Sequence, residues 1–425
     1  MLTEREESYR VLLLWQKEGA FIKESGLSPF AMELALGVCR RHLYLEYFIK
    51  TLTKKMPSLE VKTILEMGLF QMFFMDVPDH AAINTSVEIA KAANLGDGAA
   101  RLVNAVLRSA RRSGEPALPP QRVRRVSIEN SVPEWLVRRW FDIYGADAAE
   151  AMAKLTLERP VEWIRVNTQK SSAPVVAQKI GLHGASILYD RYIELPRDVG
   201  VKLLLALPEF VNGEFSFQNP SAFEVVKLLD LKPGLKVWDA CAAPGGKSAL
   251  MAEMESSLEI TASDSSAARL EKMQDLMTRL GLTNVTTECI DVVAADVVQP
   301  SATSAQSSGR RDVPSKFNRI LLDVPCSNMG VIARRPESVY RITPESVKEL
   351  SELQFRILEN ASRFLAEGGR LVYATCSPDP METTQVVNRF VKTHPEFVKA
   401  GEAVLPGKTD PRLDGFFAQA LEYKK

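Results

Sequence analysis

The sequence predicts a multidomain protein that joins an all-α bundle, a small α/β subdomain and an α/β domain with a Rossmann-like, doubly wound parallel sheet. Apolar residues recur at helical spacing as far as about residue 115, and a Pro-rich break follows at 114–120. From Gln218 onward, short apolar segments alternate with helical stretches, as parallel sheets require. We therefore place the domains at residues 1–120, 121–210 and 211–425.

Composition agrees with this class. Of its 425 residues, 46% are hydrophobic and 25% charged, which is typical of globular proteins. A chain of this length is too long for a single hydrophobic core. The most apolar stretch, Ile64–Met75, is shorter than the roughly 20 residues that a membrane span needs. No basic-then-apolar leader opens the chain. We expect a soluble, cytoplasmic protein without a membrane partner.

Cysteine usage argues against both disulfides and metal. The five cysteines are odd in number and form no Cys-x-x-Cys pair; they are Cys39, Cys241, Cys289, Cys326 and Cys376. We interpret Cys39 and Cys289 as small buried hydrophobes. No metal site is expected.

The first segment is predicted to be helical in Tyr9–Trp15, Pro29–Phe48 and Val61–Met75, with a break around Pro78. Residues 101–140 hold nine arginines against three acidic residues, a local net charge of +6 inside a chain whose formal net charge is zero. Such a cluster fits phosphate binding, although a solvated helix face is an equally good explanation. The candidate RNA-binding residues are Arg101, Arg108, Arg111, Arg112, Arg122, Arg124 and Arg125.

The middle segment mixes helical signals in Pro133–Arg139 and Ala146–Thr156 with short β-like runs at Val161–Val166 and Ile193–Leu195. This mixture predicts the small α/β subdomain. Farther along, residues 299–315 form a Ser-rich stretch without periodicity, which we interpret as a flexible surface insertion.

A strand running into a glycine turn marks the candidate cofactor site. The turn is not a P-loop, because Cys241 stands where the first glycine belongs, and it lacks the dinucleotide fingerprint. The first turn of the following helix offers free N–H donors to a ligand. The candidate residues of this turn are Cys241, Ala242, Ala243, Pro244, Gly245, Gly246 and Lys247.

Acidic residues end the following strands. Asp264 lies 25 residues after Asp239, where a carboxylate can bind a ribose diol, and Asp291 follows a third apolar stretch, where it could face an adenine ring. A single acid at a strand end is more often a cap, but several in register favour a ligand site. Cys326 and Cys376 likewise follow two strands, inside Asp323-Val324-Pro325-Cys326-Ser327 and Thr375-Cys376-Ser377.

These motifs, in this order, resemble the RNA 5-methylcytosine methyltransferases of the Sun/Fmu (RsmB) type, and the resemblance covers essentially the whole chain. The chain departs from the family pattern at Asn328 and Tyr340, where smaller residues and tryptophan are usual, and before Asp291, where a glycine is usual. The matching stretches are Asp239–Lys247, Asp323–Ser327, Tyr373–Ser377, Asp414–Ala418, Pro78–Ala82 and Val103–Arg108.

The resemblance implies a NusB-like RNA-binding bundle, an RRM-like subdomain and a class I methyltransferase domain that uses S-adenosyl-L-methionine, with Asp323 also near the cofactor. It implies methylation of carbon 5 of a cytosine in 16S rRNA, with Cys376 adding to C6 as nucleophile. Cys326 takes part in product release, Asp323 is placed to hydrogen-bond the cytosine edge, and Lys247 either lowers the pKa of the nucleophile or contacts the base.

Alternatives remain open at this point. Related enzymes with the same motifs act on tRNA or on another rRNA cytosine, and a NusB-like bundle also suits a non-catalytic RNA-binding or antitermination factor. The expected partner is 16S rRNA, either free or in a partly assembled small ribosomal subunit, and we expect a monomer.

Overall fold

A computed structural model describes residues 3–22, 26–197, 199–294, 316–405, 407 and 410–424. The predicted insertion at 299–315 lies outside the described residues. The chain divides into two compact units, one formed by Met1–Arg159 with Ile332–Ile342 and the other by Pro160–Val331 with Thr343–Lys425. Within the described ranges, no helix is both long and apolar enough to cross a membrane.

The first unit is built from helices, which confirms the predicted all-α bundle. The helices continue past residue 120, where the sequence predicted a domain boundary. The division of the chain at 120 and 210 stays a prediction. They are α1 (Glu4–Glu18), α2 (Pro29–Arg40), α3 (His42–Leu52), α4 (Leu59–Phe74), α5 (Asp79–Ala92), α6 (Asp97–Ser113), α7 (Arg122–Asn130), α8 (Glu134–Tyr144) and α9 (Ala146–Leu155).

Local sequence explains where these helices begin and how closely they pack. Thr3 and Glu6 form a capping box at the start of α1, and Ser28 and Ser58 cap α2 and α4 in the same way with their hydroxyl oxygens. At Gly37, an added Cβ would lie 2.0 Å from the Phe70 ring. Glycine is therefore required where α2 meets α4.

A short segment from the middle of the sequence completes the helical unit. Ile332–Ile342 contains a 3-10 helix, Pro336–Tyr340. The Tyr340 hydroxyl lies 3.1 Å from the carbonyl oxygen of Cys39 and 3.0 Å from that of Ser131, and its ring packs edge-on against Trp15. The sequence placed this segment in the domain 211–425. Burial of Val339 and Ile342 and the hydrogen bonds of the Tyr340 hydroxyl explain why this segment belongs to the helical unit.

The second unit contains a small antiparallel sheet in the order β2-β3-β1-β4, which confirms the predicted α/β subdomain. One face of this sheet is covered by residues such as Val176 and Leu204, which are buried against Ile164 and Phe215. Its elements are β1 (Trp163–Val166), α10 (Ala173–Lys179), β2 (Ile187–Leu188), β3 (Tyr192–Glu194), α11 (Val201–Leu205), α12 (Pro208–Val211) and β4 (Phe215–Phe217).

The larger sheet has the order β10-β11-β9-β8-β5-β6-β7. Strands β7, β6, β5, β8 and β9 run parallel, as predicted, whereas β11 pairs antiparallel with β9 and β10. The elements are α13 (Ser221–Lys227), β5 (Lys236–Asp239), α14 (Gly246–Met254), β6 (Glu259–Asp264), α15 (Ala267–Leu280), β7 (Val285–Cys289), β8 (Phe317–Asp323), α16 (Pro344–Ser362), β9 (Leu365–Thr375), α17 (Thr384–Thr393), β10 (Phe397–Val404) and β11 (Phe417–Tyr423).

A buried ion pair joins the small sheet to helix α14 beside the larger sheet. Arg165, on β1, donates to Glu253, on α14, over 2.8 Å, and its guanidinium also donates to the carbonyl oxygen of Gly246. Both side chains are almost completely buried. Burial raises the pKa of Glu253, and Arg165 opposes that rise. Arg165 thus connects the subdomain to both ends of α14.

Because breaking a buried pair leaves an uncompensated charge, we expect Arg165→Met to lower the free energy of unfolding by about 3 to 5 kcal/mol. Arg165→Met combined with Glu253→Met removes both charges and should lose less. Chemical denaturation of the three proteins measures this. Equal losses in the single and double variants would contradict the ion-pair interpretation.

Candidate active site

The glycine turn after β5 packs too tightly for larger residues. Gly245 has φ of +100°, and an added Cβ would lie 2.7 Å from the Cγ atom of Met273. The Ala242 amide donates to the Ser263 carbonyl oxygen over 2.8 Å, which holds the turn against the end of β6. The backbone is therefore fixed around the first turn of α14, where free N–H groups collect.

Asp239, the last residue of β5, is 1% exposed. Its Oδ2 atom accepts a hydrogen bond from the Ser248 hydroxyl over 2.5 Å, and Oδ1 has no hydrogen-bond partner among the described residues. Burial raises the pKa of Asp239 to about 7, although the Ser248 hydroxyl opposes that rise. A buried acceptor without a partner beside the glycine turn is a feature of a ligand site.

The two other strand-end acids differ in their surroundings. Asp264 is buried at the end of β6, where Oδ1 accepts from the Ser266 amide at 2.9 Å and from Arg269 at 2.6 Å. Asp291 is exposed beyond β7 and accepts from the Val293 amide at 2.9 Å, which is a turn contact. The structure therefore brings Asp239 and Asp264 to neighbouring parallel strands, and it leaves Asp291 at the surface.

Lys247 and Asp323 form an ion pair at the end of β8. Burial alone would lower the pKa of Lys247, but Asp323 holds it above its ordinary value. The ammonium also lies 4.7 Å from the centre of the Phe416 ring. The structure thus brings together the glycine turn, the Asp323 motif and the terminal Asp414–Ala418 motif.

Cys326 and Cys376 meet across adjacent strands. Asp323 of β8 pairs with Ala374 of β9 in parallel register, so both cysteine loops leave the sheet at the same edge. The two Sγ atoms are 2.8 Å apart. The Cys376 thiol also lies 3.0 Å from Oδ1 of Asn328, a residue with φ of +61°. Two thiols from distant parts of the sequence therefore form one group.

The contact between the thiols splits their acidities. The contact with Cys376 lowers the pKa of Cys326, and the same contact, together with burial, raises the pKa of Cys376. Lys247 lowers the pKa of Cys376, as its charge requires, but this effect is the smaller one. The contact therefore makes Cys326 the more acidic thiol of the pair.

Two glycines explain why the Asp414–Ala418 motif belongs to the site. The Gly330 amide donates to the Cys376 carbonyl oxygen over 2.9 Å, and the Gly415 amide donates to the Gly330 carbonyl oxygen over 3.0 Å. An added Cβ at Gly330 would lie 1.9 Å from the Gly415 carbonyl oxygen. The loop behind the cysteines requires this close approach of two backbones.

The other cysteines lie apart from this pair. Cys39 is buried in the helical unit, as predicted, and Cys241 is in the glycine turn. Cys289 was predicted to be buried and is exposed, because it ends the edge strand β7. In the part of the chain that the structure describes, no group of three or more His, Cys, Asp or Glu side chains could hold a metal ion.

The candidate RNA-binding arginines lie on α6 and α7 of the helical unit, and several of them have intramolecular partners. Arg122 pairs with both Asp147 and Glu150 at 2.7 Å, Arg125 lies 3.7 Å from Glu150, and Arg111 lies 3.1 Å from Asp79. Arg108 donates to Asn104. Within the described residues, Arg101, Arg112 and Arg124 form no ion pair.

Sequence reasoning missed three polar residues at the cysteine loops. Asn328 was noted only as a departure from a family pattern, and its left-handed backbone is the signal that could have drawn attention to it. Gln354 and Glu382 are fully buried beneath the loops. A buried glutamate in a turn rich in proline, Ser377–Glu382, is unusual enough to mark a functional position.

If the contact with Cys326 raises the pKa of Cys376, Cys326→Ala should lower it toward the ordinary range of a thiol. Cys376 should then react with iodoacetamide at lower pH than in the unmodified protein, because the thiolate is the reactive form. Mass spectrometry of the alkylated peptide over a pH series measures the midpoint. A midpoint that stays in place or rises would contradict the assignment.

Comparisons with known proteins agree with this architecture. Residues 5–112 match the NusB family, residues 132–189 match the "Methyltr_RsmF/B-like, ferredoxin-like domain", and residues 226–409 match "16S rRNA methyltransferase RsmB/F". The "Probable ribosomal RNA small subunit methyltransferase B" of Bacillus subtilis is 34% identical, over 99% of this chain and 96% of that protein.

Two solved structures share the fold at 20% identity. PH0851 has a TM-score of 0.79 and covers 100% of this chain and 99% of its own. NSun6 from Pyrococcus horikoshii, solved with SFG, has a TM-score of 0.56 and covers 69% of this chain and 98% of its own. Because the Bacillus subtilis relative is 34% identical over 99% of this chain, the chain belongs to the RsmB/F family of 16S rRNA methyltransferases.

Proposed function

We propose that this protein methylates carbon 5 of a cytosine in 16S rRNA, using S-adenosyl-L-methionine as methyl donor and Cys376 as covalent nucleophile. The single observation that carries the proposal is the pair of thiols whose Sγ atoms lie 2.8 Å apart at the carboxyl ends of two parallel strands. Ligands bind at that edge of such sheets. Other methyl acceptors, such as amines and hydroxyls, need no thiol pair.

The residues around the glycine turn fit S-adenosyl-L-methionine. Gly245 leaves no room for a side chain, Asp239 presents an acceptor without a partner, and the buried Asp264 carboxylate suits a ribose diol. We assign the turn from Cys241 to Lys247, with Asp264 and Asp323, to hold it, and Asp291 to contact its adenine. When bound, the cofactor supplies a methyl group carried on a sulfonium.

The base must be activated before it accepts that methyl group, because C5 of cytosine is a poor nucleophile. In the proposed step, Cys376 gives up its proton to solvent and attacks as a thiolate, so that its sulfur bonds to C6 and C5 becomes electron-rich. C5 then accepts the methyl group. Cys326, as a thiolate, takes the C5 proton, and the electrons of the C5–H bond restore the C5–C6 double bond. The sulfur–C6 bond breaks, and its electrons restore the Cys376 thiolate.

The groups around the two thiols support both the formation of the covalent adduct and its release. Cys326 is the more acidic thiol of the pair, so as a thiolate it can accept the C5 proton and take part in freeing the product. Asp323 is held at the site by Lys247 and is 30% exposed, so its carboxylate can accept a hydrogen bond from the amino edge of cytosine. Lys247 offsets the negative charge of that carboxylate.

The substrate assignment rests on the family and on the helical unit. A NusB-type bundle whose Arg101, Arg112 and Arg124 form no ion pair with any described residue can bind the phosphates of structured RNA, either free 16S rRNA or a partly assembled small subunit. The family supports rRNA over tRNA. The paired thiols favour an enzyme over a non-catalytic RNA-binding factor, since binding alone uses neither of them.

The two thiols should fail differently when removed. Cys376→Ala should abolish methylation and any protein–RNA adduct, whereas Cys326→Ala should form the adduct and release it slowly. Denaturing gels of each variant with 16S rRNA and cofactor reveal the adduct as a slowly migrating band. Cys39→Ala, which removes a buried thiol from the helical unit, is the matched control and should behave like the unmodified protein. A band from Cys376→Ala alone would exchange the two roles.

The arginines should divide by whether they already have partners. Arg112→Ala and Arg124→Ala should weaken RNA binding and each reduce the slope of log affinity against log salt by about one, since each removes one phosphate contact. Arg122→Ala should change affinity less, because Asp147 and Glu150 already hold its guanidinium. Filter binding over a salt series tests this. Equal losses at all three positions would refute the division.

A further inference from the structure

A buried carboxylate lies beneath both cysteine loops. Glu382 is 0% exposed and stands in the turn before α17. Its Oε1 atom accepts from the Ser327 amide at 2.9 Å, and its Oε2 atom accepts from the Ser327 hydroxyl at 2.5 Å and from the Ser377 hydroxyl at 2.6 Å. These serines directly follow Cys326 and Cys376. One side chain therefore holds the residue next to each thiol.

A second layer of buried side chains supports this contact. Gln354, on α16, donates from Nε2 to Glu382 Oε1 at 3.0 Å and to the Pro325 carbonyl oxygen at 2.9 Å. The Tyr373 hydroxyl lies 2.6 Å from the Glu382 carbonyl oxygen and 3.1 Å from Gln354 Oε1. Pro325 precedes Cys326, so the network holds that loop on both sides of the cysteine.

We propose that Glu382 is a positioning residue that keeps Cys326 and Cys376 in thiol–thiol contact. It binds no substrate; it acts by fixing the spacing of the two loops through their serines. Burying a carboxylate is costly unless several donors satisfy it, and four donors converge on this one from both loops and α16. Replacing it with a neutral side chain removes acceptor capacity from one loop or the other.

This inference deepens the proposed function and rests on it for its biological meaning. Its test can nevertheless be read without activity. If Glu382 maintains the thiol contact, Glu382→Gln should loosen that contact, and the pH midpoint for alkylation of Cys376 should fall in the same direction as in Cys326→Ala. A glutamate with a purely structural role would change stability and leave this midpoint in place.

A double-mutant cycle shows whether Glu382 affects Cys376 through the thiol contact or through a general loss of structure. In the Cys326→Ala background, Glu382→Gln should cause no further shift of the Cys376 midpoint, because the contact is already gone. Methylation by Glu382→Gln should fall by between about 10-fold and 100-fold, as expected for misplaced reacting groups. Its affinity for S-adenosyl-L-methionine should stay within about twofold, since the network contacts the loops and not the glycine turn.

Glu337→Gln is the matched control, because Glu337 is also buried, at 1% exposed, and belongs to the helical unit. It should leave the Cys376 midpoint unchanged. Should Glu382→Gln prove unstable, Ser377→Ala removes one donor with less damage and should shift the midpoint in the same direction. An unchanged midpoint in both variants, or a full further shift in the Cys326→Ala background, would overturn the proposal. Loss of methylation in every variant and in the unmodified protein would count against the proposed function alone.

Discussion

The parallel pairing of β8 with β9 is the constraint on which the site depends. Because Asp323 pairs with Ala374, two loops separated by some fifty residues of sequence begin at the same height and on the same edge of the sheet. Everything built there follows from that register: the thiols touch, Ser327 and Ser377 reach one carboxylate, and Lys247 reaches Asp323 from the neighbouring helix. A shift of one residue would turn one of these side chains to the other face.

The acidities of the two thiols then depend on their contact with each other. Lys247 lowers the pKa of Cys376, but its ammonium is paired with Asp323 and its effect on Cys376 is small. Burial and the contact with Cys326 raise the pKa of Cys376 more than Lys247 lowers it.

Much of the catalytic unit could be predicted from sequence because its signals are local. Strand, turn and helix alternate with a short period, and the cysteines follow strand ends, so the shared edge of the sheet follows from parallel topology. The missed features depend on long-range burial. Nothing near Tyr340 in sequence shows that its hydroxyl meets the carbonyl oxygens of Cys39 and Ser131, and the arginine count could not show which cations Glu150 and Asp147 already neutralise. Cys289 was misjudged because the sequence does not reveal which strand lies at an edge.

Hydrogen bonds hold the loop that follows Cys326 at two places. The loop is held first at Ser327 by Glu382, then at Gly330 by the backbones of Cys376 and Gly415, and at Val331 the chain leaves the catalytic unit. The next residue, Ile332, is buried in the helical unit, and Tyr340 anchors the segment there. A loop held at both ends has little conformational freedom left to lose, so ordering the thiols for any ligand costs less free energy. The contacts at Ser327 and Gly330 therefore restrain the loop after Cys326 without placing it inside a strand.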